Sequence, residues 1–592
     1  MIMAIYFIAI AIAASFALSS QASLVVHPKC VPNSYENKKI YKKSDTRQKQ
    51  FIDQVLQRNS SVYVKRTGFS GQAATVSFRG LNPTHSLILL DGVPLNNASS
   101  GLFDLSILQS KSIDSVKIIP GSASVLYGAN AIGGVVDMTS HQATQNQNKI
   151  QIEGGSFNTF NGYTNLDRVY DSGNYTLYAE GNRTDGLPKY EKNRKFGERN
   201  KTSNGGGGAH LNHAFRMANL SLFLRGNESN LKYDASTVNI PSKPQNNQYR
   251  RTNLMGVKLT SDSKKYDYHH ELLMARFNDY SKYSGASFSN HSKYYGSYKL
   301  TYYGERNSDT NVLLTADNEF LKEQDNFKKD GAVIGTALSH NHMIFQNFFL
   351  DIGVRNDYHK TYKNHQTYSS GIRYKVKQST FFISYRTGFR SPSLTDLYKQ
   401  DGYYESNNNL GPEKSYSIET GVTTPVNKYY KIHLSYYRTV LKNRLLQTQQ
   451  SNGKWKTHNV VNDTRIDGID FQQTVNMNES LGFSLGYSLV NLNRQEPGVT
   501  TAIPRHKING DLNWKITKEI ESHLSVQWVG NRKSGSNNLR NYTIVDFNLA
   551  QHLSKTSQIY LKINNLFDER YIITPGYRTP RQEVYIGTIL TF

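Results

Sequence analysis

From about residue 148 to its end the chain repeats one pattern: period-two runs of apolar and polar residues, split by stretches rich in Asn, Ser, Gly and Lys. Leu481, Phe483, Leu485, Tyr487 and Leu489 alternate with Gly482, Ser484, Gly486 and Ser488. Ile432, Leu434 and Tyr436 alternate with His433, Ser435 and Tyr437. A period of two puts each set on its own face of a strand, so this half-apolar sheet must find a layer to cover it or give its apolar face to lipid. Hydropathy does not oppose the second solution. Alternation dilutes a transmembrane barrel to the average of a soluble protein, and the mean hydropathy here is −0.60. The chain has 40 Tyr and 26 Phe against 3 Trp, a set able to furnish aromatic girdles at both membrane interfaces. The last stretch places Val584, Ile586, Leu590 and the terminal Phe592 on one face. Shared among 22 strands, the segment 148–592 leaves roughly 20 residues for each strand and its connection, which suits strands of ~10 residues with short turns and longer loops.

Upstream the texture differs. Residues 1–22 open with an apolar run to Leu18 and end Ser19, Ser20, Gln21, Ala22, an export signal with cleavage after Ala17 or Ala22. Residues 23–45 form a mature N-terminal segment. Residues 46–140 read as a small mixed α/β domain. Phe51, Val55 and Leu56 share one face of a short helix, and strands are expected at 76–78, 87–90, 115–119 and 131–138. Asp91-Gly92 supplies a tight turn. The single cysteine, Cys30, excludes an intramolecular disulfide and is not preceded by a lipobox.

The formal net charge of +24 does not signal nucleic acid, because the Lys and Arg residues are scattered singly and no nucleic-acid motif accompanies them. Such charge suits an exterior facing anionic lipopolysaccharide or a vestibule for an anionic ligand. There is no Gly-x-Ser-x-Gly elbow, no His-Glu-x-x-His helix and no phosphate loop, so an enzyme is not expected; Gly205–Gly208 reads as a bare loop run.

Three blocks in order, Val76-Ser77-Phe78-Arg79-Gly80, Leu90-Asp91-Gly92-Val93-Pro94-Leu95-Asn96 and Leu126-Tyr127-Gly128-Ala129-Asn130-Ala131-Ile132-Gly133-Gly134-Val135, resemble the plug signature of TonB-dependent receptors. Gly388-Phe389-Arg390-Ser391-Pro392, Asn409-Leu410-Gly411-Pro412-Glu413-Lys414-Ser415 and Asn564-Asn565-Leu566-Phe567-Asp568 match the barrel. The resemblance implies an all-β transmembrane barrel of 22 antiparallel strands (148–592) with an N-terminal α/β plug (46–140) in its lumen, a monomer in the outer membrane of a Gram-negative bacterium. It implies no catalysis and no resident cofactor or metal. Within the family the chain resembles the vitamin B12 transporters, which makes cobalamin the first expected cargo, with a ferric siderophore or haem as alternatives. A passive porin is the alternative from another class, and it would need no plug.

The same resemblance assigns roles. Leu24, Val25, Val26 and His27 resemble the TonB box, the extended segment that pairs with TonB as an added strand. By position, Ser70, Gly71 and Gln72 of the first plug loop and Asn96, Asn97, Ser99 and Ser100 of the second are candidate ligand contacts. Arg79 and Asp470 are candidates for plug-to-barrel ion pairing; the family's second plug arginine falls where Pro120 stands. Cobalamin receptors can bind calcium through clustered loop aspartates, but residues 182–204 hold three acids against seven bases. The axial His usual in haem receptors is missing from residues 391–409, leaving His85, expected as surface decoration.

Overall fold

The computed structural model describes residues 39–42, 49–69, 71–188, 199–234, 245–263, 266–284, 287–305, 307–324, 327–493, 502–534 and 537–592. The export signal, Leu24 to His27, Cys30 and Ser70 lie outside them.

A closed barrel of 22 antiparallel strands runs from Gln147–Gly155 to Glu583–Thr591. The last strand pairs with the first, Tyr585 opposite Gly155 and Thr591 opposite Lys149, and Asn148 and Phe592 exchange backbone hydrogen bonds of 2.7 and 3.0 Å. Closure leaves no free edge, the condition for sheet in hydrocarbon, where no water satisfies an unpaired N–H or C=O. The alternation sorts the faces. On Ser379–Arg390, Phe381, Ile383 and Tyr385 are exposed outward while Phe382, Ser384 and Arg386 are buried in the lumen. Leu434 and Tyr436 face outward and His433, Ser435 and Tyr437 inward; Val584, Ile586, Leu590 and Phe592 face outward on the closing strand. Gly205–Gly208 is no loop: it lies within the barrel strand Thr202–Ala214, and bare positions there leave room for the Tyr178 ring, whose hydroxyl would lie 2.6 Å from a Cβ added at Gly208.

Connections are short at one end, as from Tyr170 to Gly173 and Val376 to Ser379, and long at the other, as from Arg390 to Glu413 and Asn564 to Glu583. Short turns are periplasmic and long loops extracellular in such barrels.

The lumen is filled by a domain built from β1 (Lys39–Lys42), β2 (Val62–Arg66), β3 (Ala74–Phe78), β4 (Ser86–Leu90), β5 (Val93–Pro94), β6 (Ile113–Pro120) and β7 (Gly134–Ser140). One sheet takes the order β1-β6-β7-β4-β5, with β4 and β7 parallel; β2 and β3 form a separate hairpin. The helix Ile52–Leu56 packs Ile52, Val55 and Leu56 into a core with Phe78, Ile88, Val116 and Val136, and that core continues into Phe223, Leu254, Leu273 and Phe277 of the barrel wall. Between β4 and β5, Asp91 and Gly92 take φ of +53° and +85°, the mirror-image turn that Asp-Gly favours. The Asp91 carboxylate accepts from the Ser140 backbone N–H (2.8 Å) and hydroxyl (2.6 Å), stitching turn to β7.

Candidate ligand vestibule and plug fastening

Both plug loops reach the long-loop end. In the first, Phe69 meets Phe157 of the outer rim edge-on at 5.1 Å. Gly71, at φ +86°, lies close to Thr202 and Asn204 of the wall, and Gln72 packs its amide over Gly68. Both residues are buried. The second loop is organised by Asn96, which is buried: its Oδ1 accepts from the Ile88 N–H (2.9 Å) and its Nδ2 donates to the carbonyls of Ser86 (2.9 Å) and Gly101 (3.0 Å). Asn97 Oδ1 accepts from the N–H and hydroxyl of Ser100, and Ser100 is exposed. Ser99 donates to Glu323 Oε1 (2.8 Å), while Leu394 N–H donates to the Ala98 carbonyl (2.9 Å). Asn97, Ser99 and Ser100 thus stand together beside the outer helix Leu394–Tyr398, whereas Asn96 is scaffold.

Around that tip the outer loops carry aromatic rings and cations. Lys329 lies 5.0 Å over the Tyr398 ring and Lys399 5.1 Å over Tyr404; Tyr403 and Trp455 are exposed above them. Tyr404–Glu405, Trp455–Val460 and Arg444–Gln449 form a small sheet that holds this rim. His359 and Tyr362 stack in parallel at 3.9 Å nearby.

Below the loops, Arg79 of the plug projects into the wall. Its Nε lies 2.8 Å from Asp470 and its Nη2 2.6 Å from Glu419, and the guanidinium sits 4.0 Å over the Tyr437 ring. All four side chains are buried. Ser488 donates to the other Asp470 oxygen at 2.8 Å. Arg386 of the barrel reaches Glu419 at 3.6 Å beside Gly121, so a barrel cation stands next to the place where Pro120 displaces the family's second plug arginine. Burial alone would lower the Arg79 pKa; Glu419 and Asp470 outweigh it and hold the group above its ordinary value.

Neither Glu419 nor His85 is picked out by sequence reasoning as part of this fastening. His85 is not surface decoration: it is buried, its Nε2 2.6 Å from Glu413, which also pairs with Arg390 (3.1 Å) and accepts from the Leu445 N–H (2.6 Å). An imidazole enclosed in that way is out of reach of a haem iron. Register places both acids in the lumen: positions 413, 415, 417 and 419 form the inward stripe of Glu413–Asn427. Elsewhere Lys507 of the wall donates to the carbonyls of Gln57 (2.8 Å), Asn59 (2.8 Å) and Val62 (2.6 Å), capping the end of helix Ile52–Leu56 with a cation. Among the described residues no group of three or more His, Cys, Asp or Glu side chains is arranged to hold a metal ion.

Residues 139–566 match the family described as TonB dependent receptor-like, beta-barrel, and residues 40–135 match the TonB-dependent Receptor Plug Domain. Among solved structures, the chain is similar to a mutant of the ferric enterobactin receptor of Pseudomonas aeruginosa (TM-score 0.79, 15% identity, 96% of this chain and 100% of that one). It is equally similar to the siderophore receptor PirA of Acinetobacter baumannii (0.79, 15%, 96% and 100%). The ferric-catecholate import receptor Fiu of E. coli follows closely (0.78, 14%, 96% and 99%).

Proposed function

The chain belongs to the TonB-dependent receptor family of the Gram-negative outer membrane, and from that premise we propose that it imports an anionic ferric siderophore of the catecholate kind, energised through TonB. The observation that carries the reading is the rim of Tyr398, Tyr403, Tyr404 and Trp455 with Lys329 and Lys399 above the plug tip. Rings offer stacking faces to aromatic chelating groups, and the exposed Lys329 ammonium offsets negative charge of a catecholate complex, while Lys399 is already paired with Glu323 at 2.8 Å. Asn97, Ser99 and Ser100 supply hydrogen bonds from below. The sequence resemblance favours cobalamin, but the similar solved structures named above are receptors of iron chelates. That likeness shows the fold alone and adds weight to the siderophore reading.

The plug fills the lumen, so passage requires work on the plug, and we assign the pull to TonB acting on Leu24 to His27 by strand addition. The test is uptake by a strain lacking this gene and the same strain complemented, given ferric enterobactin labelled with radioactive iron, labelled cobalamin and haem. Complementation should restore the ferric catecholate signal only, and removal of residues 24–27 should abolish uptake while surface binding persists. Restoration of cobalamin uptake instead would overturn the reading.

A further inference from the structure

Arg79 and His85 join the plug to one side of the barrel; across the lumen the plug also touches the wall, as where Asp104 meets Arg250 at 3.1 Å, but there it leaves empty space. Arg79 and His85 are held by Glu413, Glu419 and Asp470. Across the lumen a cavity of about 930 Å3 separates the plug from the wall, lined by Lys117 and Asp137 of the plug and His210, Lys258, Glu271 and Lys299 of the barrel. It extends to the short-turn rim at Ser172, Ala214 and Asn219. On the same side, toward the outer loops, lies a smaller cavity of about 120 Å3 lined by Asn97, Gly128, Lys293, Arg355, Tyr362 and Ser391. Pro94, Tyr127 and Tyr295 line both.

These three side chains are therefore the partition between an outer pocket and an inner chamber. The chamber has the volume that encloses a small-molecule ligand. Its walls carry both signs of charge, which keep it wetted and let a hydrophilic cargo exchange hydrogen bonds as it moves. Tyr127 ends the short helix Ser124–Tyr127 and is followed by Gly128 and Asn130 at φ of +80° and +70°, a sharply turned stretch closed at its base by Ala123 N–H donating to the Ala131 carbonyl (2.8 Å) and tied to the wall where Asn130 N–H donates to the Phe389 carbonyl at 3.0 Å. Arg355 closes against Gly128 and is itself fixed by Asp357 (2.7 and 2.8 Å) and Thr315 (2.8 Å). Drawing the plug off the opposite wall separates the buried Arg79 guanidinium from two buried carboxylates.

We propose that cargo crosses on the cavity side alone, through a gate of Pro94, Tyr127 and Tyr295 into the inner chamber, while Arg79 and His85 keep the plug fastened to the other wall. The path fits a hydrophilic, charged chelate, and this inference rests on the import reading above. Two measurements test it. In planar bilayers the full chain carrying Tyr127→Ala and Tyr295→Ala should pass a steady ion current at least tenfold above the parent, whereas Leu81→Ala with Val490→Ala, which thins the packing on the fastened side, should stay closed. A silent gate variant, or equal current from both, would overturn the proposal. This readout does not depend on what the cargo is.

The second measurement uses disulfides in a Cys30→Ser background. A Cβ added at Gly353 lies 2.9 Å from Val125 Cγ1, and one at Gly486 lies 3.2 Å from Ser60 Cβ, so Val125→Cys/Gly353→Cys would tie the gate side and Ser60→Cys/Gly486→Cys the fastened side. With radiolabelled ferric enterobactin as probe, the oxidised gate-side pair should bind normally and lose at least nine-tenths of uptake until reduced, and the fastened-side pair should import normally when oxidised. Normal uptake through an oxidised gate-side pair, or lost uptake through the other, would contradict the path. A wrong cargo assignment would instead leave the parent without uptake, and the current measurement still decides the path.

Discussion

Arg79 is the residue on which plug seating turns. With Gly80 it occupies left-handed backbone, φ +46° and +81°, a conformation that costs a non-glycine residue of order 1 kcal/mol and that aims the guanidinium between two wall strands. Arg79→Ala would leave Glu419 and Asp470 buried without their main counter-ion, a loss of about 3–5 kcal/mol. The urea concentration at which the reconstituted protein begins to conduct should fall sharply, with Arg79→Lys intermediate because an ammonium cannot serve two carboxylates with a fork; an unchanged onset would refute the assignment. The sign of the pH effect follows. A cation whose folded pKa is raised contributes fully below its unfolded value and loses that contribution only as pH climbs through the folded one, so Arg79 keeps the plug fastened throughout the neutral and moderately alkaline range. The difference in onset between the parent and Arg79→Ala should therefore be the same at pH 7 and pH 9. Arg79 sits in a recognisable block, and Asp470 was named only through the family resemblance. Glu419 was not legible, because a lone acid on a lumen-facing stripe looks like any other inward polar residue until the plug is docked. His85 was misjudged for the same reason: its partner Glu413 is 328 residues away.

Among the elements, those whose signal is local were the most legible. The helix at Ile52–Leu56 follows from three apolar residues on one face, and the turn after β4 from Asp91-Gly92. Gly92→Ala should cost about 1 kcal/mol or more, because φ is +85° and the new methyl would meet Leu273 at 3.2 Å. Gly92→Asn should cost less on the backbone account, since Asn tolerates left-handed φ. Urea titration of the two variants should rank them in that order, and identical parent-like midpoints would show the turn to be unstrained. The strand Thr202–Ala214 was illegible because four glycines carry no alternation; the neighbouring Tyr178 ring accounts for the bare position at Gly208. The described residues of the plug loops lie at the long-loop end, and the division of labour within them was hidden from the sequence. Asn96 as scaffold and Ser99 as a tie to Glu323 depend on contacts with distant strands.

At the scale of the whole molecule, the period-two pattern settles the barrel because a sheet apolar on one face and polar on the other, closed on itself, suits a membrane with a wet lumen. A ring of 22 strands is too wide for its own side chains to fill, so the plug is what makes it a gated importer in place of a pore. Cargo should therefore move only when energy reaches the plug. The most direct test is the uptake of radiolabelled ferric enterobactin by cells with and without a protonophore. Saturable surface binding should be unchanged, and accumulation should fall to the level of cells lacking the gene. Accumulation that continued at the same rate without the proton gradient would contradict that dependence on energy.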